Sequence, residues 1–217
     1  MGAGYDKIDV PACAARGIGV SHTPHAVDDA TATTALYLLI SALRGFSAAE
    51  RSLRAGHWKA GHNAGAARDL TGRTLAILGL GGIGLRLAEL AHAFPMRVLY
   101  HSRRPSPRAP AWCEYFDAAR LDEMLAQADA LSVHVPYTAE TRAIVDAQMI
   151  GKLKRGAVII NTARGQVVDE EAMMAALRDG HVSAVFLCAW RPLTNEPALC
   201  GRPRRVQQRT GHRPTLV

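Results

Sequence analysis

Six residues constrain the fold of this chain more than any other stretch. Gly79-Leu80-Gly81-Gly82-Ile83-Gly84 reads G-x-G-x-x-G and stands between an apolar run, Thr74 to Leu78, and a helical stretch, Ile83 to Ala93. After a strand and before a helix, the pattern has a physical meaning. The first glycine makes the turn, the second lets a pyrophosphate approach the backbone, and the third packs helix on strand. The helix N-terminus adds oriented N–H donors and the positive end of its dipole. Gly79, Gly81, Gly82, Ile83 and Gly84 are therefore candidate cofactor-binding residues.

The rest of the middle of the chain continues the alternation. Arg97–Tyr100, Ala130–Val135 (closed by Pro136), Gly156–Ile160 and Val182–Leu187 read as strands, and Leu121–Ala128 and Glu170–Leu177 as helices. Such spacing predicts a parallel sheet covered on both faces, an α/β doubly wound fold of the Rossmann type. Ahead of it, Asp28 or Asp29 can cap a helix running to Leu43, with Leu36, Leu39, Ile40 and Leu43 on one face. Ser47-Ala48-Ala49-Glu50 reads as a capping box opening a shorter helix that ends near Gly56. Pro105 to Pro110 is a surface loop.

Composition excludes several function classes. With 217 residues, 48% hydrophobic and 21% charged, the chain is long and apolar enough for a real core and is not of disordered type. The longest apolar run, Ala35 to Leu43, is half the length of a membrane span and is broken by Ser41. No basic-plus-apolar leader opens the chain, and Asp6 stands where a myristoylation signal needs Ser or Thr. The expectation is a soluble, cytoplasmic chain. Cys13, Cys113, Cys188 and Cys200 are scattered, and His57 and His62 have no ligand-spaced partners, so no metal site is expected. The net charge of +7 is concentrated in the last 29 residues, where six arginines face one glutamate. That tail has no stacking aromatic beyond Trp190, so it reads as a solvated charge run and not as a nucleic-acid surface.

Two further clusters carry chemistry. Beyond the second strand, where an NAD site places an acid for the ribose 2′-hydroxyl, the chain reads Ser102-Arg103-Arg104. A hydroxyl with two guanidinium groups suits a 2′-phosphate, so NADP is expected as cofactor, with NAD the alternative. Asn161-Thr162-Ala163-Arg164-Gly165 directly follows a strand, on the ligand side of an open α/β sheet. Arg164 there can clamp a carboxylate and polarise the neighbouring carbonyl, or form a structural ion pair. His134 closes its strand at the same edge, with lining and packing both open to it.

The motifs come in one order: Gly2-Ala3-Gly4-Tyr5-Asp6, Thr23-Pro24 with Asp29-Ala30-Thr31-Ala32, Gly79 to Gly84, His134-Val135-Pro136-Tyr137-Thr138, and Asn161 to Gly165 with Val168-Asp169-Glu170. Together they resemble the D-isomer-specific 2-hydroxyacid dehydrogenases, which include glyoxylate/hydroxypyruvate reductases, over residues 2–188. The resemblance implies an oxidoreductase that exchanges a hydride between a nicotinamide cofactor and a small 2-keto or 2-hydroxy acid. It implies that the backbone of Ala3 and Gly4 touches the substrate carboxylate. Thr31, Val135, Pro136 and Thr162 then line the cofactor, and Arg164 holds the substrate. It also implies a homodimer, because helices such as Ala30–Leu43 pack across a dimer in that family.

Three departures qualify what is implied. The resemblance begins at the Gly2–Asp6 motif, so residues 1–21 are expected to be a remnant of the substrate domain in an N-terminally truncated chain, followed by a cofactor domain at 22–188. The family's Gly-Leu-Asp-Val-Phe reads Phe186-Leu187-Cys188-Ala189-Trp190 here. Residues 189–217 read as an irregular basic tail without Pro-His-x-Gly. Within it Glu196, of Asn195-Glu196-Pro197, and His212 stand in for the family's acid–base pair, so Arg164, Glu196 and His212 are the expected catalytic residues. A cofactor-binding, dimerising module without turnover is the alternative function.

Overall fold

The computed structural model describes residues 3–57, 67–187 and 215–216. His62, Cys188, Trp190, Glu196 and His212 lie outside the described residues. In chain order come helices α1 (Val10–Ala15), α2 (Asp28–Arg44) and α3 (Phe46–Arg54), then β1 (Thr74–Leu78), α4 (Gly82–His92), β2 (Arg97–His101) and β3 (Cys113–Phe116). They are followed by α5 (Leu121–Gln127), β4 (Ala130–Val133), α6 (Ala147–Lys152), β5 (Ala157–Asn161), α7 (Glu170–Arg178), β6 (Val182–Leu187) and β7 (Thr215–Leu216).

The sheet is parallel throughout, in the order β3-β2-β1-β4-β5-β6-β7. Chain order reverses between β1 and β4, and a doubly wound sheet opens its ligand crevice at such a switch point. Buried strand residues alternate between two cores. Ala76, Leu78, Leu131, Val133 and Ile159 face α5, α6 and α7, whereas Leu75, Ile77, Val98, Tyr100, Val158 and Ile160 face α2 and α4. Helices on both faces explain why β1 and β5 are apolar at nearly every position.

Tertiary contacts displaced several local expectations. Neither Asp28 nor Asp29 caps α2, whose N-cap is Val27 without a side-chain hydrogen bond. Asp28 instead accepts from or pairs with His25 Nδ1 at 2.9 Å, and Asp29 pairs with Arg86 of α4 at 2.6 Å. The capping box at Ser47 does not form either. Gly45, in the left-handed region at φ 68°, both ends α2 and starts α3, the Ser47 hydroxyl meets that of Ser41, and Glu50 pairs with Arg54. The fourth strand stops at Val133, two residues short of the expected end, and the tail contributes Thr215–Leu216 as a strand beside β6.

At the N-terminal edge of the sheet the charges close on one another. Asp129, only 14% exposed at its side chain, accepts from the Thr74 N–H at 2.9 Å and from Arg73 and Lys154, each at 3.2 Å. Burial pushes its carboxyl up, but these donors outweigh burial and hold it below the ordinary value. Arg68 donates to the Gly156 carbonyl at 2.8 Å and to Ser183 Oγ at 3.0 Å, tying the loop before β1 to β5 and β6. Among the described residues no single helix is long and apolar enough to cross a membrane.

Candidate active site at the carboxyl edge of the sheet

The turn after β1 needs its glycines for distinct reasons. Gly79 has φ +97°, and its N–H donates to the His101 carbonyl at 2.8 Å, joining the ends of β1 and β2. A Cβ there would lie 3.0 Å from the backbone of His134 and Val135. On Gly84 it would come within 2.3 Å of the Gly79 carbonyl oxygen, so α4 presses on the turn only through a glycine. Gly81 differs: it is exposed, extended, and a Cβ on it would meet nothing within 4 Å. It opens α4 without a side-chain cap, so the backbone on the Gly81 side of the helix start is bare. That arrangement fits the pyrophosphate of a dinucleotide.

Neighbouring elements frame the turn. The Asp28 carboxylate lies against Gly82, where a Cβ would sit 1.9 Å from Oδ2, so the start of α2 abuts the start of α4. Thr31, one turn on and half-buried, shares that side of α2. Ile83 is also half-buried. At the end of β2 the Ser102 hydroxyl donates to the Arg104 carbonyl at 2.6 Å, and the Tyr115 hydroxyl donates to the Ser102 carbonyl at 3.3 Å. Arg103 and Arg104 are exposed and join no ion pair among the described residues. Glu140 is held below its ordinary value by a hydrogen bond from Thr138, with a smaller contribution from the charge of Arg103.

Between the ends of β4 and β5 runs a row of polar side chains. Ser132 Oγ and His134 Nε2 share a hydrogen bond at 2.8 Å, and His134 Nδ1 and Thr162 Oγ1 share another at 3.4 Å. Burial pushes His134 down to about 4, so the ring is neutral at neutral pH and acts as a linker. Val135 leans on Gly79, and the exposed Pro136 offers its carbonyl to the Thr141 hydroxyl at 2.6 Å.

Arg164 is fixed from both sides of its turn. The buried Asn161 donates through Nδ2 to the Arg164 carbonyl at 2.8 Å and accepts from the Ala163 N–H at 2.9 Å, which stiffens residues 161–164. The guanidinium reaches the N-terminal segment, where Nε and Nη2 donate to Asp6 Oδ1 at 3.0 and 2.8 Å. A Cβ on Gly4 would lie 2.0 Å from Nη2, so the arginine rests on bare backbone. The Ala3 carbonyl meets His22 Nδ1 at 3.1 Å. Ala3, Gly4 and Arg164 therefore come together, although 160 positions separate Gly4 from Arg164. Four neighbours were not among the expected site residues: Asp6, Asp28, Ser132 and Asn161. Asp6 was visible inside the Gly2–Asp6 motif, but its partner was not.

Comparison with known proteins agrees with this geometry. Residues 36–207 match the family model described as "D-isomer specific 2-hydroxyacid dehydrogenase, NAD binding domain". The chain is 44% identical to 4-methyl-2-oxopentanoate reductase A of Aspergillus oryzae over 199 residues, covering 91% of this chain and 58% of the relative. An NADPH-dependent glyoxylate/hydroxypyruvate reductase of Sinorhizobium meliloti, solved with NADP and malonate, superposes with a TM-score of 0.80 at 37% identity, covering 90% of this chain and 60% of that one. A D-lactate dehydrogenase of Aquifex aeolicus, solved with NAD and lactic acid, gives 0.78 at 31% identity, covering 87% and 56%. The chain spans somewhat over half the length of the curated relatives it matches. With the glycine turn, the switch point and the fixed arginine on one sheet edge, the chain belongs to the D-isomer specific 2-hydroxyacid dehydrogenase family.

Proposed function

We propose that this chain acts in hydride exchange between NADP(H) and a small 2-keto or 2-hydroxy acid. The observation that carries the reading is the pairing, on one sheet edge, of the open Gly81 turn with the fixed Arg164. They stand at the ends of β1 and β5, two strands and so about 10 Å apart. When bound, the nicotinamide supplies a hydride to the carbonyl carbon of the 2-keto acid, a proton goes to the carbonyl oxygen, and NADP⁺ and the 2-hydroxy acid result.

The residues divide that work. The backbone of Gly79 to Gly84 and the N-terminus of α4 receive the pyrophosphate, and Thr31, Val135, Pro136 and Thr162 border the cofactor. Ser102, Arg103 and Arg104 receive a 2′-phosphate, which favours NADP over NAD; the relatives themselves include both an NADP-bound and an NAD-bound structure. Arg164, with the backbone of Ala3 and Gly4, binds the acid's carboxylate. Glu196 and His212 are assigned as the pair that delivers the proton, on family resemblance. In this reading residues 22–188 form the cofactor unit, residues 1–21 belong to the substrate-binding part, and α2 contributes to a homodimer.

The test is NADPH oxidation with glyoxylate and with hydroxypyruvate, comparing the wild type with Arg164→Ala and His212→Ala. Turnover lost in Arg164→Ala with NADPH binding retained supports the assignment. Loss of proton delivery in His212→Ala lowers the rate roughly 10²–10⁴-fold. NADPH binding without turnover on either acid, in the wild type, favours the cofactor-binding module instead.

A further inference from the structure

Resting on the reading of Arg164 as a carboxylate clamp, we propose that Asp6 is a positioning residue, which grips one side of the guanidinium and presents its outer pair of N–H groups to the substrate acid. A guanidinium has five N–H donors in a rigid plane. Asp6 Oδ1 takes the two on one flank, from Nε and Nη2 at 3.0 and 2.8 Å. The Ala163 carbonyl takes one of the two Nη1 donors at 2.9 Å. One N–H for each of these three bonds leaves two of the five, one on Nη1 and one on Nη2, with no acceptor among the described residues. That pair matches the two oxygens of a carboxylate.

The surroundings agree with this role. The Asp6 side chain is 15% exposed against 37% for Arg164, so the fixing side is covered and the presenting side is open. Gly4 supplies the flat floor, since any Cβ there would displace Nη2. The hydrogen bond from Arg164 holds the Asp6 carboxyl below its ordinary value, so the grip persists across the neutral range. Asp6 needs only an acceptor oxygen at this place to orient the arginine.

The experiment titrates oxamate, a non-reducible 2-keto acid analogue, into the full chain saturated with NADPH, for the wild type, Asp6→Ala and Asp6→Asn. The expected result is oxamate affinity weakened about tenfold or more in Asp6→Ala, retained within about threefold in Asp6→Asn, which keeps the oxygen and removes the charge, and NADPH affinity unchanged throughout. Oxamate bound equally by the wild type and Asp6→Ala overturns the positioning role and leaves the 2-keto acid reading standing. Affinity raised alike in both variants also overturns it, because Asp6 would then act only as a repelling charge. Oxamate bound by none of the three, with NADPH binding intact, overturns both readings.

Discussion

The two edges of one sheet use charge in opposite ways. At the N-terminal edge Asp129 is enclosed by the Thr74 N–H, Arg73 and Lys154, and Arg68 finishes on a carbonyl and a hydroxyl. At the carboxyl edge Arg103 and Arg104 stand exposed, Gly81 borders open space, and Arg164 is gripped on its flanks but not at its tip. Satisfied groups stabilise the fold and have nothing left to offer a ligand. Groups held in place but left incomplete are what a binding site is made of.

The largest effect expected from this contrast is on cofactor binding. Gly81 has φ −82°, which any residue tolerates, so Gly81→Leu costs the fold no more than about 1 kcal/mol, through the loss of a good N-cap residue. The same change fills the open space beside Gly81, and NADPH affinity falls by about a hundredfold, two or more charge-assisted contacts being lost. Calorimetric titration beside a denaturant melt reads both quantities. An equal loss in both would erase the distinction between the edges.

Asp129→Ala should do the reverse. Removing this enclosed carboxylate leaves the Thr74 N–H and two cations without their partner, costing about 2–3 kcal/mol of unfolding free energy. NADPH affinity of the folded protein stays the same. A denaturation midpoint unmoved by the change would show that the closed network is ornament.

Acid should act on His134 and on Asp129 in separate windows. His134 is pushed down to about 4 from an ordinary 6.5, so the unfolded chain takes up a proton before the folded one does. The stability that neutral His134 contributes is present above pH 6.5 and is lost as pH falls from there toward 4. Asp129, lowered from 3.8, contributes stability above that value and loses it as pH falls further, through its folded-state value. His134→Gln flattens the upper window, and Asp129→Asn reduces the lower one, which Asp6 and Glu140 share. A variant that altered the other's window would break the assignment.

How far the sequence was legible follows from the range of the interactions. The β1 turn, the alternation of strands and helices, and the positions of Arg164 and Ser102–Arg104 are written in contiguous residues, and the structure has them at those places. Asp28 and Ser47 have cap chemistry, yet each is drawn off by tertiary neighbours: Asp28 by His25 and Gly82, and Ser47 by Ser41. The strand Cys113–Phe116 and the helices Val10–Ala15 and Ala147–Lys152 are too short for periodicity to register. The pairing of Asp6 with Arg164 spans 158 positions and has no local signature at all.

The reserved charge at the carboxyl edge is tested most directly by the arginines after β2. NADPH and NADH are titrated separately into the wild type and into Arg103→Ala/Arg104→Ala. The wild type should bind NADPH more tightly than NADH, and the double substitution should weaken NADPH about tenfold or more while leaving NADH within about twofold, each charged hydrogen bond contributing roughly 1.5–3 kcal/mol. Equal weakening of the two cofactors, or no change in either, would contradict the account, because the exposed arginines would then be ordinary surface charge.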